Sequence, residues 1–208
     1  MASALNLNDA DILHPLGEAR PDDWSAHGAY SVELKYHCEG KEMVFEYQKT
    51  EIAGGLLPDS AFSAATHGDY SQIIGSLLIQ KHGTGFKVVP GGKHLDLVIR
   101  QNCYVIIRAA DGQEIYFIND PEPIMLKDQP RDNVYFDLQM MDSEGRAYKP
   151  RDFPADGKCK QICFGARHLD GLPEETHPFG LHLRVLSCQP GTGMEDVYID
   201  PDIRNPSY

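Results

Sequence analysis

From Ala29 onward, apolar and polar residues alternate with a period of two, which restricts much of the chain to extended segments with one buried face. Tyr30, Val32, Leu34, Tyr36 and Cys38 share one side, with Ser31, Glu33, Lys35 and His37 on the other. Glu39-Gly40 then turns the chain toward Met43, Phe45 and Tyr47, predicting a β-hairpin. Leu95, Leu97 and Ile99 alternate, as do Cys103, Val105 and Ile107, and Asp111-Gly112 reads as a hairpin turn into Ile115. Val134, Phe136, Leu138 and Met140 form the cleanest series, set against Tyr135, Asp137 and Gln139. Segments 159–166, 181–186 and 195–199 add further candidates. One polar face per strand predicts an antiparallel two-sheet β-sandwich, mostly β.

Two regions depart from this period. Residues 1–28 read as an irregular N-terminal arm carrying the only tryptophan, Trp24, a ring that must dock on its own domain or on a neighbour. Residues 29–208 then form the sandwich domain. Within it, 69–81 predicts one short helix: Asp69 caps it, Ile73, Ile74, Leu77 and Leu78 form its stripe, and Gly83 follows as a stop, with a strand over 73–79 as the alternative and Gly75 unfavourable to both. Segments 149–158 and 170–180 are rich in Pro, Gly and Asp and read as loops at the ends of the sandwich, where a binding site is expected.

The 208 residues suit a single all-β unit, and their formal charge of −12 disfavours phosphate backbones and anionic membranes. The expected partners are therefore the chain itself or another protein, with no nucleic acid and no membrane. Asp9, Asp11 and Glu18 and the lack of an apolar run exclude a secretory signal in the first stretch. No run of about 18 apolar residues predicts a membrane span. The five cysteines, an odd number, fit reduced thiols and a cytoplasmic setting better than a disulfide framework.

Several residues have metal-ligating chemistry. Cys159 and Cys163 are four apart rather than the usual three, with His168 and His177 as further zinc donors; two buried thiols on one sheet face are the plainer reading. His168, Asp170, His177 and His182 form a candidate His/carboxylate metal site, with Glu174 or Glu175 as alternative carboxylates and Arg184 beside them on the polar face of a strand. His168-Leu-Asp170 resembles the opening of the facial triad in non-haem iron oxygenases of the double-stranded β-helix fold, for which His182 would be the distal histidine. Loops 119–123 and 200–202 pair carboxylates two apart, but their prolines also make them natural strand terminators. No Gly-x-Ser-x-Gly occurs, and Gly83-Thr-Gly85 and Gly191-Thr-Gly193 are too short to cradle phosphates.

Asp120-Pro-Glu-Pro123 and the closing Tyr198-Ile-Asp-Pro-Asp-Ile-Arg-Asn-Pro206 resemble short uncharacterised bacterial proteins, the DP-EP proteins and a group labelled nucleotide synthetase. The resemblance covers residues 95–206 and implies a β-sandwich with no established activity. The sequence therefore supports a non-enzymatic binding or self-assembling β-sandwich with no cofactor. The alternative is a metal-dependent enzyme holding a divalent ion around residues 168–184.

Overall fold

In the computed structural model, strands form where the two-residue period predicts them, and their apolar faces meet in one interior. The structure describes residues 14–52, 87–89, 97–120, 122–127, 133–142, 144, 146–155, 157–169, 175–199 and 202–205. The helix expected over 69–81 lies outside them.

The strands are β1 (Gly28–Glu39), β2 (Glu42–Ile52), β3 (Lys87–Val89), β4 (Leu97–Val98), β5 (Cys103–Ala109), β6 (Ile115–Phe117) and β7 (Ile124–Leu126). They continue with β8 (Tyr135–Met141), β9 (Ala147–Tyr148), β10 (Gln161–Ala166), β11 (Glu175–Leu186), β12 (Met194–Ile199) and β13 (Asp202–Asn205). A short 3-10 turn, Pro150–Asp152, lies beyond β9.

One sheet runs β3-β2-β1-β5-β10-β8-β9, and the second is built on β11. That strand pairs with β13 at its start and β12 at its end, while β7 and then β6 line its other edge. Val32, Leu34, Val105, Ile107, Leu138 and Phe164 of the first sheet are buried against the same interior as Ile115, Ile124, Phe179, Leu181, Leu183 and Val185 of the second. The molecule is thus mostly β and two-sheeted. Two pairs, β1 with β5 and β4 with β13, run parallel rather than antiparallel. Both join strands far apart in sequence, as parallel pairing requires, since a tight turn cannot bring the chain back in the same direction.

The β1–β2 turn holds Gly40 at φ +66°, the left-handed region a tight hairpin demands. Asp111-Gly112 also turns the chain, but without making a hairpin: β6 leaves the sheet of β5 and pairs with β11. Strand β11 begins at Glu175, inside the segment that its prolines and glycines marked as loop. In β8 a bulge at Asp137, with φ +58°, displaces the alternation. Tyr135, Leu138 and Met140 consequently face the main interior, and Phe136 turns to the other side of the sheet.

Residues 14–27 run from β7 of the second sheet, through Leu16 in the main interior, to that other side at Trp24. His14 bridges to Leu126 and Gly17 to Phe136, and Trp24 is 2% exposed. Its ring meets Tyr104 and Phe136 edge-on, each with centroids 5.0 Å away, and its Nε1 donates to the Ala166 carbonyl at 3.3 Å. Trp24 therefore docks on its own domain, and this small apolar layer accounts for the burial of both faces of β5.

The thiols are not all reduced as expected. Cys38, near the end of β1, is joined to Cys188, two residues beyond β11, so a disulfide links the two sheets at one end. Cys103, Cys159 and Cys163 are buried thiols. The odd count resolves as one pair plus three core residues, a split that spacing alone does not reveal.

Candidate functional site

Two clefts open on either side of loop 118–123, which connects β6 to β7 and contains the Asp-Pro-Glu-Pro string. Asn119 Nδ2 donates to the Pro150 carbonyl, fastening this loop to the 3-10 turn after β9. The turn forms there because Pro150 presets the φ of its first residue. The two loops thus share a wall, with Asp120 facing one cleft and Glu122 the other.

The larger cleft, of about 490 Å³, is lined by Tyr116, Asn119, Asp120, Phe153, Lys158 and Arg184. Tyr116 and Arg184 are direct neighbours across the β6–β11 ladder. Lys158 Nζ lies 5.2 Å and Lys160 Nζ 5.4 Å from the centroid of the Tyr116 ring, within cation–π range. Lys160 also donates to the Gln113 carbonyl at 2.8 Å. Asp196 holds the Arg184 guanidinium with two hydrogen bonds, at 2.7 and 3.0 Å, and this pairing keeps the Asp196 carboxyl below its ordinary value. Two ammonium groups therefore flank the Tyr116 ring, and Arg184 is its neighbour across the ladder.

The smaller cleft, of about 150 Å³, is lined by Leu16, Glu18, Glu122, Leu138, Lys149 and Arg151. Burial first, and then the nearby Glu18 carboxylate, pushes the Glu122 carboxyl above its usual range. Lys149 is ion-paired with Asp137 and donates to the Glu18 carbonyl at 3.3 Å. Gln139 Nε2 donates to the same Asp137 carboxylate at 2.8 Å. A non-glycine residue at positive φ, carrying half of an ion pair at a bulge, is the kind of strained backbone that collects at sites.

The residues proposed to hold a metal are scattered. His177 faces the interior, 4% exposed, and shares a 2.8 Å hydrogen bond between its Nδ1 and the Tyr135 hydroxyl. His182 is five residues along the same strand and so on its opposite face, beside Tyr198 with ring centroids 6.4 Å apart. His168 lies just past β10; its backbone N–H donates to Asn102 Oδ1 at 2.9 Å, and its Nδ1 to the Ile99 carbonyl at 3.1 Å. Asp170 and Glu174 lie outside the described residues, as does the side chain of Glu175. Arg184 is brought to the larger cleft instead. Among the described residues no three His, Cys, Asp or Glu side chains gather as a metal site would need. Cys159 packs in the main interior, whereas Cys163 lies on the opposite side of its sheet from Ile162 and Phe164. Burial raises both thiols, that of Cys159 to about 12, so neither is a thiolate ready to bind metal.

A family described as "predicted novel nucleotide synthetase" matches residues 62–208, which include both clefts apart from the arm residues of the smaller one. The chain belongs to that family. Among curated proteins, none matches it. The synthetase family's description names a catalyst, which overturns the non-enzymatic binding or self-assembling role expected from the sequence. Spacing along the chain carries no catalytic signature, because Tyr116, Lys158 and Arg184 meet only through sheet pairing and loop packing. The Asp-Pro-Glu-Pro string is the one legible signal, and it stands between the two clefts of this synthetase-family fold. No helix among the described residues is long and apolar enough to cross a membrane.

Proposed function

We propose that the chain is an enzyme that binds a nucleotide, as substrate or product of a bond-forming reaction, in the larger cleft. The carrying observation is that Lys158 and Lys160 flank the Tyr116 ring in a cleft that Lys158 and Arg184 line, in a protein of net charge −12. Cations gathered in one cleft of an otherwise acidic surface give a compact anion a local point of attraction, while the rest of the molecule repels a polyanion. Lys158 suits phosphoryl oxygens as a mobile point charge; Arg184 gives two donors to Asp196 and keeps its remaining N–H groups for the same oxygens. The volume lies in the range of small-molecule sites, and the Tyr116 and Phe153 rings offer apolar surface for a base or sugar. The family description supports the same ligand class.

Isothermal titration with ATP, GTP, CTP and UTP, each with and without Mg²⁺, tests this. At least one nucleotide should bind, and Lys158→Ala, a change at an exposed residue, should weaken it by about tenfold or more. Mass spectrometry of incubations with the bound nucleotide should reveal a turnover product. Absence of binding by all four, or full binding by the variant, removes the reading.

A cytoplasmic setting, read from the sequence, sits against the Cys38–Cys188 bond, because structural disulfides persist in oxidising surroundings. Thiol labelling of the protein in intact cells, before lysis, distinguishes the two settings.

A further inference from the structure

We propose that the smaller cleft binds a small zwitterion of the amino-acid class, carrying an ammonium and a carboxylate on one short skeleton. The cleft has three chemically different walls. Glu122 and Glu18 contribute carboxylates, near enough for the second to act on the first. Lys149 and Arg151 stand opposite in sign, and only one of them is available to a ligand: Lys149 is held by Asp137 and the Glu18 carbonyl, whereas the Arg151 side chain is 77% exposed. Arg151 reaches Asp152 only loosely, at 3.7 Å, so its guanidinium remains able to fork onto a ligand carboxylate. Leu16, Leu138 and Pro150 supply an apolar surface for a side chain.

Size narrows the class further. At about 150 Å³ the cleft has less than a third of the volume of the larger one, at about 490 Å³, and suits a small metabolite. A simple cation would satisfy the carboxylates and leave Arg151 unmatched, and a simple anion would meet Glu122 and Glu18. Only a molecule bearing both charges complements both kinds of side chain in the lining. The raised Glu122 carboxyl agrees with this, since an arriving ammonium supplies the countercharge that the group lacks. Loop 118–123 and the 3-10 turn form the wall between this cleft and the larger one, so a bound zwitterion would lie close to the nucleotide cleft.

The test is a thermal-shift screen of the full chain with the twenty standard amino acids, without nucleotide, followed by titration calorimetry. Running it without nucleotide makes its outcome independent of whether the larger cleft holds one. At least one amino acid should raise the melting temperature saturably. Its decarboxylated amine and its deaminated acid (for leucine, 3-methylbutylamine and 4-methylpentanoate) should each bind at least about tenfold more weakly. Arg151→Ala and Glu122→Gln should each weaken the amino acid by a similar factor; the first change is on an exposed side chain and spares the fold. No response to any of the twenty overturns the proposal. So does an analogue that binds as well as its amino acid, or affinity that survives either substitution.

Discussion

Cys38 and Cys188 are bonded across 150 residues of chain, fixing the end of β1 to the far end of β11. Around them, Tyr36 Oη donates to the Leu186 carbonyl at 3.1 Å and the Tyr36 N–H to Gln113 Oε1 at 3.2 Å, so the bond sits within a wider seam between the sheets. A cross-link of this span removes much of the freedom of the unfolded chain. Reduction, or Cys38→Ser with Cys188→Ser, should therefore cost up to about 5 kcal/mol. Urea unfolding with and without dithiothreitol measures it, and an unchanged midpoint would contradict the assignment.

Thiol counting provides a second check. Burial raises Cys159 to about 12 and Cys163 beyond that, and Cys103 is fully buried. Iodoacetamide at pH 8 should leave the native protein unmodified. Unfolding without reductant should expose three reactive thiols, and reduction should bring the total to five. A native protein that labels at once would show that these side chains are not enclosed.

Trp24→Ala should destabilise the protein by about 3–5 kcal/mol, because it empties a site closed by Tyr104 and Phe136 and strands the Ala166 carbonyl. As the only tryptophan, Trp24 also reports on itself: native emission should be blue-shifted and should move red as the arm is released. A native emission maximum typical of exposed indole would place the arm elsewhere.

Gly165 leaves room for the Phe136 ring, and a Cβ built there would overlap it. Gly165→Ala should cost about 1–3 kcal/mol through overpacking. Combining it with Phe136→Leu should recover part of that loss, so the two changes should be non-additive in a double-mutant cycle. Strict additivity would mean that the two residues do not touch.

Glu122 allows a prediction in pH. Burial and Glu18 hold its carboxyl above the ordinary value near 4.5, so the fold favours the neutral form. The stability this group contributes is complete below the unfolded value and is lost as pH rises through the folded one. Glu122→Gln stays neutral throughout. It should exceed the wild type in stability at pH 7 by less than about 1 kcal/mol, since a half-exposed carboxyl is partly screened. The difference should close as pH falls toward 4. Urea midpoints at pH 4 to 8 measure it, and a variant weaker than wild type at pH 7 would reverse the sign.

Much of the fold is legible in the sequence because burial acts on local periodicity. Tyr30, Val32 and Leu34 enter the interior as their alternation requires, and Glu39-Gly40 makes the hairpin it announces. Legibility ends where one residue changes the phase. Asp137 adds a bulge, and Phe136, which by alternation shares a face with Leu138, turns the other way to meet Trp24. The site is harder still. Glu18, Glu122, Lys149 and Arg151 come from the arm, the β6–β7 loop and the turn after β9, and no spacing rule relates them. The histidines are close in sequence, but an odd separation along β11 sends His177 and His182 to opposite faces.

The docking of Trp24 on Ala166 also bears on how the protein is made. Residue 24 leaves the ribosome 142 positions ahead of its hydrogen-bond acceptor. Synthesis proceeds at about 5–20 residues per second, so the indole waits about 7 to 28 seconds before its binding place exists. During that interval the indole is open to solvent and to other nascent chains, a span in which a chaperone that covers one exposed aromatic ring would serve this protein.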